Sequence, residues 1–309
     1  MYYPTAKSYF SGAGGMDYGL SLAGVRIIQS YEIDPTCCQT LRQNFNHEII
    51  QTDITKITVL DQPEADIFVG TFPCTRYSTI ADIKGTRMGD DLFLHFFRHV
   101  ALARPEAYVV ENVPGMRKFR VVMEALTRLP DYYVRIECPV DASHWLPQKR
   151  DRLILIGTKR PFNCDPPQGY RRVTLAEILD DAPEIQIPDY VYHRLCGKYR
   201  DLPKVLDPSN PEEIAPTCLA HYSKDVSTRL VRDDRYPYGV RPFTPREYAR
   251  LQGFPDSFQF AGTDRDIYRQ VGNAVAIPVA EWIGRNLIRY FNPHKNKSSK
   301  KTDQFSLFN

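Results

Sequence analysis

Short apolar runs alternate with amphipathic segments along the first half of the chain. Runs of this kind are typical of buried strands, and the segments between them repeat apolar residues at helical spacing. This alternation predicts an α/β fold with a doubly wound, mostly parallel sheet. Strands are predicted at 7–10, 25–34, 65–70, 107–112, 133–140 and 152–157. Helices are predicted at 35–45, 92–103 and 118–129.

The pattern breaks up beyond Thr158, where prolines cluster up to about Tyr238. Order returns at Thr244, which has the capping-box spacing to Glu247. A last amphipathic helix at 277–290 is expected to pack on the first domain. We therefore predict a second, smaller mixed domain. The predicted divisions are a large domain from 1–160 plus 265–293, a small domain at 161–264, and a flexible basic tail at 294–309.

Composition narrows the class of protein only modestly. The chain has 309 residues, 42% of them hydrophobic, with a net charge of +3, which permits contact with a polyanion without requiring it. It shows no signal peptide and no long apolar span, so we expect a cytoplasmic protein without membrane contact. Its seven cysteines include no C-x-x-C pair. This pattern argues against a disulfide framework and a zinc site, and no metal is predicted.

A glycine turn follows the first predicted strand, in "FSGAGGMDYG". Gly12, Gly14 and Gly15 would let the main chain approach a ligand closely, and Glu32, about 20 residues on, is suited to ribose hydroxyls. These features predict a nucleotide-like cofactor, although tight strand-to-helix turns also occur without any ligand.

Two acidic residues bear on the identity of this cofactor. Asp17 lies in the first helical turn, where it would place a negative charge close to the position of a bound pyrophosphate. A cofactor without phosphate, such as S-adenosylmethionine, therefore suits the turn better than a dinucleotide. Asp53 follows the third strand and could either accept a hydrogen bond from an adenine amine or cap a helix.

Candidate chemistry collects at strand ends. Cys74 follows Pro73 behind the strand at 65–70, Glu111 lies at the end of the strand at 107–112, and Arg150 and Arg152 lie two apart at the start of another strand. A thiol, a carboxyl and a guanidinium could converge there on a planar heterocycle. Each residue also has a plainer explanation: Cys74 could be a buried thiol, Glu111 a helix cap, and Arg150 and Arg152 a surface pair.

Six motifs occur in one order: "FSGAGG", "FPC", "ENV", "QKRDR", "RPFTPREYARLQGFPD" and "VGNAVAIPVA". Together they resemble the DNA cytosine-5 methyltransferases over about residues 8–290. The resemblance implies methylation of carbon 5 of cytosine in double-stranded DNA, with S-adenosylmethionine as methyl donor. It also implies a monomer that associates with the nucleoid through DNA and a functional pairing with a restriction endonuclease.

The resemblance assigns catalytic roles. The thiolate of Cys74 would add to carbon 6 of the cytosine, Glu111 would share a proton with ring nitrogen 3, and Arg152 would hold the carbonyl oxygen at carbon 2. A nearby positive charge, from Arg150, Arg152 or the sulfonium of the cofactor, would help to lower the pKa of the thiol. Two further residues are expected to position the thiol and the acid: Pro73 and Asn112.

The remaining site residues follow from the same resemblance. The target base must leave the duplex to reach the thiol, so DNA contacts are expected around the pocket. The predicted cofactor residues are Phe10, Gly12, Gly14, Gly15, Glu32, Ile33, Asp53, Ile54, Asn273, Ala274 and Val275. The predicted DNA contacts are Arg76, Tyr77, Ser78, Lys84, Arg87, Gln148 and Arg229.

The chain departs from the family pattern at Thr75, where glutamine is usual, and at Tyr77. The region left for reading bases is short, so we predict a short or degenerate target of about two to four base pairs. Three alternatives stay open. They are a transfer RNA cytosine-5 methyltransferase, a catalytically silent DNA-binding relative, and a nicotinamide oxidoreductase, the last disfavoured by Asp17 and Cys74.

Overall fold

The computed structural model describes residues 1–73, 92–167, 171–198, 200–201 and 203–293. The predicted basic tail lies outside these residues. The described chain forms two compact units. The first comprises the described parts of 1–141, 151–167 and 277–293, and the second those of 142–150 and 168–276. The predicted domain boundaries stay a prediction, because a division into compact units does not show that each unit is a separate domain.

A mixed sheet forms the centre of the first unit. Its described strands stand in the order β3-β2-β1-β4-β5-β7-β6. The pairs from β3 to β5 are parallel, whereas β7 runs antiparallel to both β5 and β6, which confirms the predicted mostly parallel sheet. The strands are β1 Thr5–Tyr9, β2 Arg26–Glu32, β3 Glu48–Gln51, β4 Ile67–Gly70, β5 Ala107–Asn112, β6 Tyr133–Asp141 and β7 Asp151–Thr158.

Helices follow several of these strands, as the sequence pattern predicts. The cap of α2 shows why one of them begins where it does: Asp34 accepts hydrogen bonds from the N–H groups of Thr36 and Cys37, and Pro35 occupies the first helical position. The helices of the first unit, numbered in chain order, are α1 Gly15–Leu22, α2 Pro35–Asn44, α3 Leu92–Ala103, α4 Arg120–Thr127 and α9 Ile277–Phe291.

Apolar packing on both faces of the sheet holds the first unit together. On one face, Phe68 and Leu155 of the sheet pack with Phe96 of α3 and Leu126 of α4, all of them buried. Each such side chain stabilises the fold by about 1.5–3 kcal/mol. Elsewhere in the unit, α1 and α9 pack so closely that a Cβ on Gly19 would lie 2.5 Å from that of Ala280. The expected packing of the last helix on the first domain is confirmed.

The direction of β7 decides which residues meet at the edge of the sheet. Because β7 runs against β5, its first residues lie beside the last residues of β5, with Leu153 opposite Asn112 and Ile154 opposite Glu111. The start of β7 therefore lies at the same edge as the carboxyl ends of the parallel strands, where open α/β sheets place their ligands.

The second unit contains a small sheet in the order β10-β9-β8. Its strands were hard to predict because they are only two to four residues long, too short for a periodic signal. The predicted capping box is confirmed, since Glu247 and Thr244 exchange hydrogen bonds. The elements are β8 Lys204–Leu206, β9 Arg229–Arg232, β10 Val240–Arg241, α5 Leu175–Ile178, α6 Asp189–Cys196, α7 Pro245–Arg250 and α8 Asp264–Asn273. Within the described residues, no helix has the length and apolar character needed to cross a bilayer.

Candidate active site

Glu111 and Arg152 form an ion pair at the edge of the large sheet. The Arg152 Nε lies 2.8 Å from the Glu111 Oε1, and only 14% and 10% of the two side chains are exposed. Arg152 also donates from Nη1 to the main-chain oxygen of Asp151. Water screens the attraction only weakly at such burial, so the guanidinium fixes the orientation of the carboxyl. The structure thus brings together two of the predicted catalytic residues.

Asn112, the next residue on β5, holds the chain that leads to the predicted nucleophile. Its Nδ2 donates to the main-chain oxygen of Phe72 over 3.1 Å, and its Oδ1 accepts from the N–H of Val113 over 2.9 Å. Pro73 follows Phe72 and is exposed. Cys74 lies outside the described residues, as do five predicted DNA contacts: Arg76, Tyr77, Ser78, Lys84 and Arg87.

Arg150 has a different environment from Arg152. It belongs to the second unit and is 2% exposed. Its guanidinium donates to three main-chain oxygens, those of Cys218, Gly272 and Ala274, over 3.2, 3.1 and 2.7 Å. These contacts are typical of a side chain that clamps loops together. The structure therefore gives Arg150 a structural role and lends no support to its predicted effect on the thiol.

Two further predicted contacts with DNA are buried within the second unit. Gln148 has no exposed surface; it donates to the main-chain oxygen of Leu251 and accepts from the N–H of Cys218. Arg229, at the start of β9, is 8% exposed and donates to the hydroxyl of Thr228. This burial lends no support to contact with DNA at either residue, and both contacts stay predictions.

The glycine turn between β1 and α1 is open at one glycine and tightly packed at another. Gly12 and Gly14 have φ angles of 55° and 86°, in the left-handed region that favours glycine. A Cβ on Gly12 would meet no atom within 4 Å, whereas one on Gly14 would lie 2.6 Å from the ring of Phe45. Gly12 therefore faces open space, and Gly14 packs against the protein. Phe10 precedes the turn with a φ of 61°, and Gly15 begins α1.

Glu32, at the end of β2, is held by three main-chain donors. Its Oε2 accepts from the N–H of Gly12 over 2.7 Å, and its Oε1 accepts from Ile33 and Asp34 over 2.8 and 2.9 Å. A carboxylate offers roughly four acceptor positions, so about one remains for a ligand hydroxyl. Ile33 is 63% exposed and presents an apolar surface beside this carboxylate.

Asp53 caps the short helix that follows β3. Its Oδ1 accepts from the N–H of Thr55 over 3.0 Å, and this hydrogen bond holds the pKa of Asp53 below its ordinary value. The cap is therefore present, and contact with an adenine amine stays a prediction. Ile54 is buried, with its main-chain oxygen accepting from Arg98.

The last predicted cofactor residues end α8 in the second unit. Asn273 is exposed, whereas Ala274 and Val275 are buried. Ala274 is the C-cap of α8: its N–H makes a last helical hydrogen bond of 3.0 Å to the main-chain oxygen of Gln270, and its own backbone is extended. Only the side chain of Asn273 is open to solvent, and its role toward a cofactor stays a prediction.

Asp17 lies in the first turn of α1 as expected, but its side chain does not face the space where a ligand would bind. Its side chain has no exposed surface, and its Oδ2 accepts a hydrogen bond of 2.6 Å from the hydroxyl of Ser30. Burial raises the pKa of Asp17, so the carboxyl does not present a negative charge to a ligand. Sequence reasoning missed Ser30 and its neighbour His47. The signal in the sequence was a small polar residue, Ser30, within a predicted strand.

Comparison with known proteins identifies the class of protein. The C-5 cytosine-specific DNA methylase family matches residues 5–289, and the chain belongs to this family. Among its relatives, the Type II methyltransferase M.NlaX of Neisseria lactamica is 33% identical, over 90% of this chain and 94% of the relative. M.Sau96I of Staphylococcus aureus is 30% identical, over 92% and 75%. The predicted family is thus confirmed, which leaves no place for a nicotinamide oxidoreductase.

Solved structures support the same fold. The methyltransferase EhMeth of Entamoeba histolytica superposes with a TM-score of 0.80 at 19% identity, covering 94% of this chain and 99% of that structure. The S. pombe Dnmt2 methyltransferase gives a TM-score of 0.74 at 17% identity, with the same coverage. These likenesses confirm the methyltransferase fold that the sequence predicts.

Proposed function

We propose that this DNA methyltransferase takes its methyl group from S-adenosylmethionine and acts through a transient bond between the Cys74 Sγ and carbon 6 of cytosine. The observation that carries the proposal is the Glu111–Arg152 ion pair. It lies next to Asn112, whose amide holds the main chain two residues before Cys74. A carboxyl, the guanidinium that orients it and the amide that holds the chain before Cys74 thus lie at one edge of the sheet.

The glycine turn fits an adenosine cofactor. The open space at Gly12 leaves room for a ligand against the main chain, the remaining acceptor position of Glu32 suits a ribose hydroxyl, and the exposed Ile33 suits an adenine face. Asp53 has a carboxylate at the same end of the sheet for the adenine amine. When bound, S-adenosylmethionine supplies an electrophilic methyl group.

The residues at the sheet edge prepare cytosine to accept that group. Carbon 5 is a weak nucleophile on its own. Addition of the Cys74 thiolate forms an Sγ–C6 bond, and the electron pair of the C5–C6 double bond is displaced toward ring nitrogen 3. Glu111 enters this step protonated, shares that proton with ring nitrogen 3 as the electron pair arrives there, and takes it back when the Sγ–C6 bond breaks. Arg152 orients the carboxyl and stabilises the carbonyl oxygen at carbon 2. After methylation, loss of the carbon 5 proton and cleavage of the Sγ–C6 bond release the enzyme.

The partners follow from this chemistry. A stacked base is closed to the thiol, so the target cytosine must flip out of double-stranded DNA. We propose that the second unit reads a short or degenerate target and that the enzyme acts as a monomer on the DNA of the cytoplasm. The relatives named as Type II methyltransferases support a functional pairing with a restriction endonuclease.

A methyl-transfer assay tests the proposal against its RNA alternative. Purified protein is incubated with radiolabelled S-adenosylmethionine and either duplex DNA or transfer RNA. The nucleic acid is then digested, and its nucleosides are separated by chromatography and identified by mass. We expect 5-methylcytosine in DNA only, at a few-base-pair target that bisulfite sequencing defines. Label confined to transfer RNA, or absent from both substrates, would contradict the proposed function.

A further inference from the structure

We propose that Asp17, Ser30 and His47 form a positioning network that holds the glycine turn in the conformation that binds the cofactor. The inference rests on the proposed function, because it assumes that the turn receives S-adenosylmethionine. None of the three residues would touch that molecule. They would act through the turn, as positioning residues and not as catalytic ones.

The network joins three separate elements of the first unit. The Ser30 hydroxyl, on β2, lies 2.6 Å from the Asp17 Oδ2 in the first turn of α1. The same hydroxyl lies 2.7 Å from the Nε2 of His47, just before β3. Asp17 and Ser30 have no exposed surface, and His47 is half-buried. A buried polar group is costly unless it is hydrogen-bonded, so these contacts fix the three elements relative to one another.

The turn itself lacks the usual means of support. Gly14 occupies the N-cap position of α1 and has no side chain with which to cap the helix. Asp17 lies three residues further on, and its carboxyl bonds to β2. The network therefore anchors the first turn of α1 from below, at a point where a side-chain cap would otherwise fix it.

His47 supports the turn by a second route. Its ring lies 5.2 Å from that of Phe45, measured between centroids. The Phe45 ring in turn lies under Gly14, close enough that a Cβ there would be 2.6 Å away. Displacement of His47 would thus disturb both the hydrogen bond to Ser30 and the packing beneath Gly14.

The hydrogen-bond roles in the network determine which substitutions at position 17 it tolerates. Burial raises the pKa of Asp17 and lowers that of His47, because an apolar environment disfavours the charged form of each group. The Ser30 hydroxyl donates to the Asp17 Oδ2, and the same oxygen of Ser30 lies within hydrogen-bond distance of the His47 Nε2. An asparagine at position 17 keeps a side-chain oxygen that can accept from Ser30, whereas an alanine does not.

Calorimetric titration with S-adenosylmethionine tests the proposal. We expect Asp17→Ala and Ser30→Ala each to weaken cofactor binding about tenfold, since removing one partner of a buried hydrogen bond has a cost of this order. Asp17→Asn should bind within about threefold of wild type, because its side-chain oxygen can still accept from Ser30. Ser21→Ala is the matched control, because Ser21 is an exposed serine on the same helix whose hydroxyl donates to the main-chain oxygen of Asp17 and leaves the Asp17 carboxyl untouched.

Affinity for DNA without cofactor, measured by fluorescence anisotropy, separates positioning from folding. We expect it to be unchanged in every variant. Equal cofactor affinity in all variants would overturn the proposal, as would a parallel loss of DNA binding in Asp17→Ala and Ser30→Ala. If Asp17→Ala does not fold, His47→Gln and Ser30→Ala decide the outcome by the same two measurements. A wild type that fails to bind S-adenosylmethionine would instead contradict the proposed function.

Discussion

Glu111 and Arg152 are far apart in the sequence, yet the Oε1 of one lies 2.8 Å from the Nε of the other. They meet because β7 runs antiparallel to β5, which places the start of one strand at the end of the other. A carboxyl that must transfer a proton in a fixed direction needs such a partner, since a freely rotating acid is seldom in position. The strand reversal is thus the structural basis of the proposed acid.

Replacing Glu111 tests its role as a proton donor. We expect Glu111→Gln to lower kcat by about 100-fold or more, because a positioned acid contributes about 10²–10⁴-fold. Affinity for DNA should be unchanged, since the carboxyl acts after the base is bound. Steady-state methyl transfer gives kcat, and Glu106→Gln, just before the same strand, is the control. Equal losses in the two variants would contradict the assignment.

Asn112 should affect catalysis through the main chain. Asn112→Ala removes the hydrogen bond from Nδ2 to the Phe72 oxygen, and we expect it to lower kcat about tenfold and the free energy of unfolding by about 1 kcal/mol. Single-turnover kinetics and urea denaturation measure the two effects. An unchanged kcat would show that the position of Phe72 does not govern Cys74.

Two glycines of the same turn should respond differently to alanine. Gly14→Ala would place a Cβ 2.6 Å from the Phe45 ring, so we expect a clear fall in the unfolding temperature without cofactor. Gly12→Ala meets no protein atom, and we expect a smaller loss, of about 1–2 kcal/mol, from its left-handed φ.

Cofactor affinity provides the second readout for this pair. The Cβ of Gly12→Ala would occupy the open space assigned to the cofactor, so we expect weaker binding of S-adenosylmethionine although the fold is retained. Binding equal to that of wild type would place the cofactor elsewhere. Differential scanning fluorimetry and calorimetry supply the two measurements.

Lys7 offers a test of burial that is independent of catalysis. It lies on β1 with 1% of its surface exposed and its ammonium group 5.4 Å from the centre of the Phe68 ring. Burial lowers the pKa of Lys7 to about 8. Between about pH 8 and 10.5 the unfolded chain binds more protons here than the folded chain, so this lysine costs less stability as the pH rises.

The consequence is measurable with Lys7→Met. We expect this variant to be more stable than wild type by roughly 3 kcal/mol at pH 7.5, because the pKa of Lys7 falls from 10.5 to about 8 and each pKa unit corresponds to about 1.4 kcal/mol. The difference should shrink by pH 9.5. Urea denaturation of both proteins at the two pH values measures it, and a difference that grows with pH would contradict the assigned burial cost.

The sequence predicted most of the large sheet, because most of its strands are long or uniformly buried, whereas β3 is short and has exposed ends. All six residues of β5, Ala107–Asn112, are buried, and the predicted strand has the same bounds. The second unit was harder to predict. Its strand β10 has only two residues, which pair antiparallel with β9. Such pairing depends on tertiary contacts that leave no period in the sequence.

The candidate site was predicted in part for a similar reason. The spacing of Arg150 and Arg152 suggested one surface, but the carbonyl partners of Arg150 come from distant segments and no sequence pattern reveals them. Asp17 has the sequence position of an exposed acid at a helix start. Its burial follows from the serine on β2 that it meets.

The most direct test of the account is covalent trapping. The protein is incubated with S-adenosylmethionine and duplex DNA that contains 5-fluorocytosine, in which fluorine cannot leave as a proton does. We predict a stable protein–DNA adduct attached through Cys74, detected by denaturing gel and peptide mass, and no adduct with Cys74→Ser. Methyl transfer by Cys74→Ser at the wild-type rate, or an adduct attached elsewhere, would contradict the central claim.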